Sequence, residues 1–547
     1  MKALFILSFS FIFSTQVLAL TLPDGEALRA LPVQADGRIK PYDTFAREML
    51  EIVYGKGSFE GRKPHEVILT WMLSPAAWEN KELFEVRNHE VLKALNLNPE
   101  RKRFKGQEVF ANDRFTLLRQ ELQEKRETKE KLTPYFQALQ RLENQYFVFT
   151  EMATGRLMKV MPVAESKNWK SVAELDGEAQ KDFLEMSGKF ITYIAAMAES
   201  KPANEVSEKA RALDLAVKKF QETARSHNPA AYAENSKIET EIHYNLFHPF
   251  RWAYSLYILA ACVILLLWVL KKDSWMKWAW MMVAAGFLLH TYGFALRVYL
   301  TGRPPVSNMY ETVVWVAWGA VVFSAVLEFV YKFKIILLAG SLAGFIGMVI
   351  ADTAPVILDP SLQPLEPVLR SNYWLIVHVM TITISYAAFL LAFILGDIGL
   401  IYYLRGEQAY KDKIKEIVLA IYRAKQIGVI FLAPGIILGG IWADYSWGRF
   451  WGWDPKETWA LIALLGYIAV LHGRLIGWIK DFGMVVSGIM TFSLVVMAWY
   501  GVNFVLGAGL HSYGFGAGGV EYVSGFIAAH FLAIVYVVVV RRTRVKT

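Results

Sequence analysis

One cysteine in 547 residues, Cys262, removes whole classes of chemistry. A disulfide framework, a CxxC redox pair and a thiolate zinc site all need more thiols than that. A dithiol oxidoreductase is excluded, and a c-type cytochrome with it, because the chain has no CxxCH. Charge is scarce as well: Asp, Glu, Lys and Arg make up 20%, against 54% hydrophobic residues and a mean hydropathy of +0.29. Soluble chains of this length carry more charge and divide into several domains. The net charge of +8 does not point to nucleic acid, because the basic residues after about residue 250 sit beside apolar runs, where membrane topology accounts for them.

What the chain has in excess is apolar sequence, and it lies almost wholly after residue 250. Residues 1–19 read as an export signal: Met1-Lys2, an apolar stretch from Ala3 to Phe13, then Val17-Leu18-Ala19 as a cleavage site, with an uncleaved anchor helix as the alternative. Residues 20–247 read as an extracytoplasmic soluble domain, polar and mostly helical by pattern. Phe104 to Tyr146, Lys181 to Met197 and Glu205 to Ala224 space their apolar residues by three or four. Asp43-Thr44 reads as a helix start and Gly55 as its stop. His65, His89 and His227 read as isolated, solvated surface histidines.

Residues 248–547 read as an all-α polytopic membrane domain. Apolar spans are expected at 251–270, 278–300, 312–331, 335–352, 374–404, 426–445, 457–479, 483–506 and 521–540, each near the ~20 residues that cross a bilayer. With the soluble domain outside, loops after odd-numbered spans and the C-terminal tail are cytoplasmic. These hold seventeen Lys and Arg, Lys425 among them, against five on the opposite side: Arg297, Arg303, Arg370, Arg449 and Lys456. That is a strong positive-inside bias. It predicts an inner-membrane protein with a cytoplasmic C-terminus.

The outer loop between spans six and seven, 442–459, holds five tryptophans (Trp442, Trp447, Trp451, Trp453, Trp459) with Tyr445 and Phe450. A belt of rings at the headgroups is the plain explanation. Two features argue for more: Gly448 and Gly452 allow a tight fold with rings on a shared surface, and Arg449 and Lys456 offer cations. Such a surface suits a flat, apolar, anionic ligand, a porphyrin with its propionates or, less well, a quinone headgroup. Asp454, Pro455 and Glu457 read first as a helix N-cap, first turn and capping box.

His378 near the outer end of span five and His511 in the loop after span eight fall on the same side as the tryptophans. Imidazole is a common haem-iron ligand, so two imidazoles beside an aromatic surface suit a hexacoordinate haem. His472, inside span seven, points to a second site roughly 20 Å lower. His290 and His530 lie near the middle of spans two and nine. His290 is either a second ligand of that lower site or a helix-packing polar residue.

The run Trp447-Gly448-Arg449-Phe450-Trp451-Gly452-Trp453-Asp454-Pro455-Lys456-Glu457-Thr458 resembles the WWD signature of haem-handling membrane proteins. It is most similar to the CcsA (ResC) component of system II cytochrome c synthases. Gly302 to Glu311, Ser371-Asn372-Tyr373-Trp374 and Leu510-His511-Ser512-Tyr513 resemble the flanking pieces, and the likeness covers about residues 250–540. The resemblance implies that His378 and His511 ligate haem b (iron protoporphyrin IX) over the surface formed by Trp442, Trp447, Arg449, Trp451, Trp453 and Asp454. It makes His472 a transmembrane haem ligand. It implies holocytochrome c synthase activity: haem moves outward and its vinyl groups meet the CxxCH thiols of apocytochrome c. A thioredoxin-like thiol reductant is implied as well, since this chain has no dithiol. Fused synthases carry a CcsB (ResB) half before the CcsA half, and here no membrane spans precede residue 250, so a separate CcsB-like subunit is expected. Rival readings are a haem-delivery protein of the system I type that makes no thioethers, a b-type haem electron carrier, and a transporter without haem.

Overall fold

The computed structural model describes residues 24–128, 132–164, 166–232, 235–354, 358–364, 372–506 and 519–546. The export signal, Arg370, Ser371 and His511 with its neighbours lie outside the described residues. The chain divides into two compact units, one up to Phe247 and one from His248 onward.

The first unit carries strands as well as helices. Four strands, β1 (Pro32–Ala35), β2 (Arg38–Pro41), β3 (Lys159–Val163) and β4 (Ser166–Ser171), form an antiparallel sheet in the order β2-β1-β3-β4. A second antiparallel pair joins Glu82–Glu85 to Arg103–Lys105. These strands are only three to six residues long, too short for an alternating pattern to stand out among helical periodicities. The helices Gly177–Ala198 and Ala203–His227 lie where their spacing predicts. The stretch from Phe104 to Tyr146 contains a strand end, a five-residue helix and two longer helices, Asp113–Glu127 and Pro134–Ala153.

Asp43 and Thr44 do not cap their helix, which starts at Tyr42 after Pro41. Asp43 is buried and takes Arg29 at 2.8 Å and Arg47 at 2.9 Å, while Thr44 donates to Glu241 at 2.7 Å. Gly55 does end that helix, at φ 73°, in the left-handed region that a residue without Cβ enters freely. His89 and His227 are exposed, but His65 is 4% exposed and lies inside the core rather than on the surface. The helix from Pro64 carries it inward, beside the charges of Glu26, Arg29 and Asp43.

In the second unit, nine helices among the described residues are long and apolar enough to cross a membrane. They include Pro249–Leu270, Met276–Thr301, Met309–Tyr331, Ile335–Thr353, Asn372–Arg405, Lys411–Trp447, Pro455–Leu475 and Val520–Lys546. The eighth span is broken into Asp481–Met490, Phe492–Val496 and a π-helical segment Met497–Leu506. This is an all-α multi-pass membrane protein.

Span six is much longer than its apolar run, so Lys425 is not a loop residue. It is fully buried within the helix, with Nζ 2.7 Å from Ser487 Oγ and 5.7 Å above the Tyr467 ring. Spans five and six pack antiparallel along a stripe of glycines. A Cβ at Gly428 would strike the Phe389 ring, one at Gly435 would meet Ile382 Cα at 3.0 Å, and one at Gly439 would meet His378 Cε1 at 2.6 Å. Positions 428, 435 and 439 share one helix face, as do 378, 382 and 389 on the facing span. In lipid, close backbone approach is the main route to tight packing, and small residues supply it.

Burial of His65 in the first unit and the glycine stripe in the second each carry a testable consequence. Burial holds the His65 imidazole down from 6.5 to about 4. The unfolded chain therefore binds its proton first, and stability falls as pH drops from 6.5 toward 4, by at most about 1.4 kcal/mol per pH unit. Thermal unfolding of the His65→Asn protein across that range is expected to show a shallower acid dependence than wild type. Gly428→Val is expected to destabilise by about 1–3 kcal/mol through overpacking against Phe389, read as a lower melting temperature in detergent.

Candidate functional site

His378 sits nearly two turns into span five, and its position follows from the glycine stripe. The missing side chains at Gly435 and Gly439 let the imidazole lie against the backbone of span six, where Nδ1 donates to the Gly435 carbonyl at 2.8 Å. A carbonyl can only accept, so the proton is on Nδ1 and the lone pair on Nε2. That is the tautomer metal-ligating histidines adopt, with a backbone carbonyl orienting the ring. Trp442 lies parallel to this ring, 8° between planes and 6.4 Å between centroids.

Trp442 is not a loop residue. Span six continues as helix to Trp447, and Trp442 is buried within it at 1% exposure. The irregular segment is therefore only residues 448–454, because span seven begins at Pro455. Gly448 turns the chain out of span six at φ 72°. Phe450 returns over Gly440, whose absent Cβ would meet its ring at 2.6 Å. Trp447 meets Trp442 edge-on at 4.6 Å and 68°, and Trp451 meets Trp453 at 5.7 Å and 89°. The rings line the site in two crossed pairs rather than as one flat sheet.

Glu457 organises the segment. Its Oε2 accepts from the Gly452 amide at 2.7 Å and from the Asp454 amide at 3.2 Å, while Oε1 takes Arg449 at 3.2 Å. Clamping the amides on both sides of Trp453 forces that residue outward, to φ 56° and 69% exposure. A tryptophan in the left-handed region is costly, and such strain clusters at functional sites. Asp454 caps span seven as its spacing predicts, accepting from the Lys456 amide at 3.0 Å, with the capping box to Glu457 complete. Arg449 lies 5.7 Å over the Trp447 ring and fills the space a Gly452 side chain would need.

The remaining histidines separate. His472 lies in the last turn of span seven, on an exposed face, with Nδ1 donating to the Ile468 carbonyl at 2.9 Å, which leaves the lone pair on Nε2. His290, in the second span, is fully buried between the first and third spans. Its Nε2 donates to the Val314 carbonyl at 3.1 Å, and its Nδ1 accepts from the Tyr257 hydroxyl at 3.3 Å. With both nitrogens committed and Phe250 and Phe294 around the ring, the geometry supports the packing role. His530 donates from Nδ1 to Phe526 at 2.7 Å and turns Nε2 toward Asp397 at 3.5 Å. No cluster of three or more metal-binding side chains occurs among the described residues, and His511 lies outside them.

Sequence reasoning missed two contributors, the Gly435 carbonyl and the clamp of Glu457 on Trp453. Their signals were present: glycines at 428, 435 and 439 on one helix face, and a Glu three residues after Asp454.

Residues 306–511 match the family described as cytochrome C assembly protein. Protein NrfI of Wolinella succinogenes is 28% identical over 515 residues, which is 88% of this chain and 54% of NrfI, so the chain spans about half of that relative's length. Cytochrome c biogenesis protein CcsA of Synechococcus sp. (strain CC9902) is 33% identical over 290 residues, 47% of this chain and 94% of that protein. CcsA of Chlamydomonas reinhardtii is 34% identical over 222 residues, 39% of this chain and 62% of that protein. With a CcsA protein matched over nearly its whole length around this site, the chain belongs to the CcsA family of cytochrome c biogenesis proteins.

Proposed function

We propose that this chain carries haem b to the outer side of the inner membrane, holds it at residues 442–459 and promotes its thioether attachment to the CxxCH of apocytochrome c. The observation that carries this reading is His378: a fixed tautomer with its lone pair on Nε2, beside a buried tryptophan and a loop that leaves Trp453 exposed. An imidazole held in one orientation suits axial ligation of iron, and aromatic rings suit a macrocycle's faces. His511 supplies the opposite ligand in this proposal. Haem is the substrate here, and its vinyl carbons accept the cysteine thiols of the apocytochrome.

The protein's own contribution is positioning. His378, the tryptophan pairs and the Glu457 clamp hold the ring so that vinyl groups and thiols meet in a fixed geometry, and proximity lowers the barrier. No side chain of this chain acts as a covalent nucleophile. The thiols belong to the apocytochrome, and a thioredoxin-like reductant keeps them reduced.

His472 supports a second ligand site shared with a CcsB-like membrane subunit. Its ring is exposed with the lone pair on Nε2, whereas His290 has both nitrogens engaged inside the bundle. The second ligand of that lower site therefore comes from the partner subunit in this proposal.

Two measurements test the reading. The purified protein is expected to show a bis-histidine haem spectrum, and His378→Ala is expected to lower retained haem by about tenfold or more; a colourless wild-type protein overturns the haem assignment. Co-expression with a CcsB-like subunit and a CxxCH reporter is expected to yield covalent haem on the reporter, with His378→Ala and His472→Ala each reducing the yield by about tenfold or more. Haem that is bound but never attached overturns the synthase assignment and leaves haem delivery.

A further inference from the structure

Two cations border the outer loop, and the structure treats them differently. The Arg449 guanidinium is spent within the protein: it pairs with Glu457 at 3.2 Å, lies over Trp447 and packs into the space left by Gly452. The same carboxylate holds the amides of Gly452 and Asp454, so moving Arg449 toward a ligand would loosen the turn that presents Trp453. Lys456 has no such engagement. Its ammonium makes no ion pair within 4 Å and donates no hydrogen bond among the described residues; the Asp454 carboxylate acts on its charge only at longer range, and the side chain is partly buried. Of the two neighbouring acids, Glu457 is taken by Arg449 and two backbone amides, and Asp454 turns a carboxylate oxygen to the Lys456 backbone amide as the helix cap. A cation in the first turn also faces the positive end of the helix macrodipole, the wrong sign for stability alone. A partly desolvated ammonium in that setting favours an incoming carboxylate.

We propose that Lys456 is the residue that receives a porphyrin carboxylate at the outer loop, and that Arg449 is a positioning residue that keeps the loop in shape. This rests on the haem reading given above and divides the labour between the two cations.

The test uses the full-length protein, purified in detergent and freed of haem, titrated with iron protoporphyrin IX and with its dimethyl ester. The ester keeps ring and iron but carries no carboxylate. Wild type is expected to bind the diacid about tenfold more tightly than the ester, the scale of one charge-assisted hydrogen bond. Lys456→Gln is expected to remove that preference while leaving ester binding unchanged, and Lys456→Arg to retain it. Arg449→Gln is expected to weaken both porphyrins alike and so preserve the ratio. A wild type without preference, a preference that survives Lys456→Gln, or one lost in Arg449→Gln alone overturns the proposal. Wild type that binds neither porphyrin takes away the haem reading itself, and this proposal with it.

Discussion

The hydrogen bond from His378 Nδ1 to the Gly435 carbonyl is the contact on which the site depends. It exists because two helices approach closely enough for a side chain of one to reach the backbone of the other. That approach requires glycine at 435 and 439, where any Cβ would collide with Ile382 or with the imidazole itself. The bond then does chemical work as well as structural work, since it decides which ring nitrogen bears the proton. A helix–helix packing requirement thus becomes a choice of tautomer.

The loop above obeys a second economy. Seven residues, 448–454, must reverse the chain between two membrane helices and satisfy their amides with few partners at hand. One carboxylate, Glu457, takes two of those amides and a guanidinium. The result is a rigid turn whose strained member, Trp453, is also its most exposed ring. Elsewhere in the bundle the same pressure to satisfy buried polar groups acts. Arg297 bonds Glu311 at 2.8 Å and the Pro360 carbonyl at 2.9 Å, and His290 is held between Tyr257 and Val314.

Much of the fold was legible because a bilayer imposes a length and a polarity that a single pass along the chain can detect. The nine spans, the Gly55 stop and the Asp454 cap all rest on local spacing. The errors share a cause as well. The residue types of Lys425 and Trp442 point to loops, because polar or interfacial residues mark span ends on average, yet span six runs as helix from Lys411 to Trp447 and carries both inside. His65 looked like a surface histidine for the same reason, and Asp43 and Thr44 like a cap. Their partners, Arg29 and Glu241, lie fourteen and 197 residues away.

The sequence by itself determined the membrane class, the number of crossings among the described residues, the tryptophan-rich turn and the identity of its cap, because each depends on residues within a few positions of one another. Only the tertiary structure decided which nitrogen of His378 carries its proton, that Trp442 stacks beside it from within a helix, that Arg449 is held by Glu457 while Lys456 is not, and that His472 faces outward whereas His290 is locked inside. Those outcomes depend on distances between helices that no local pattern encodes, set by where side chains are small enough for backbones to meet.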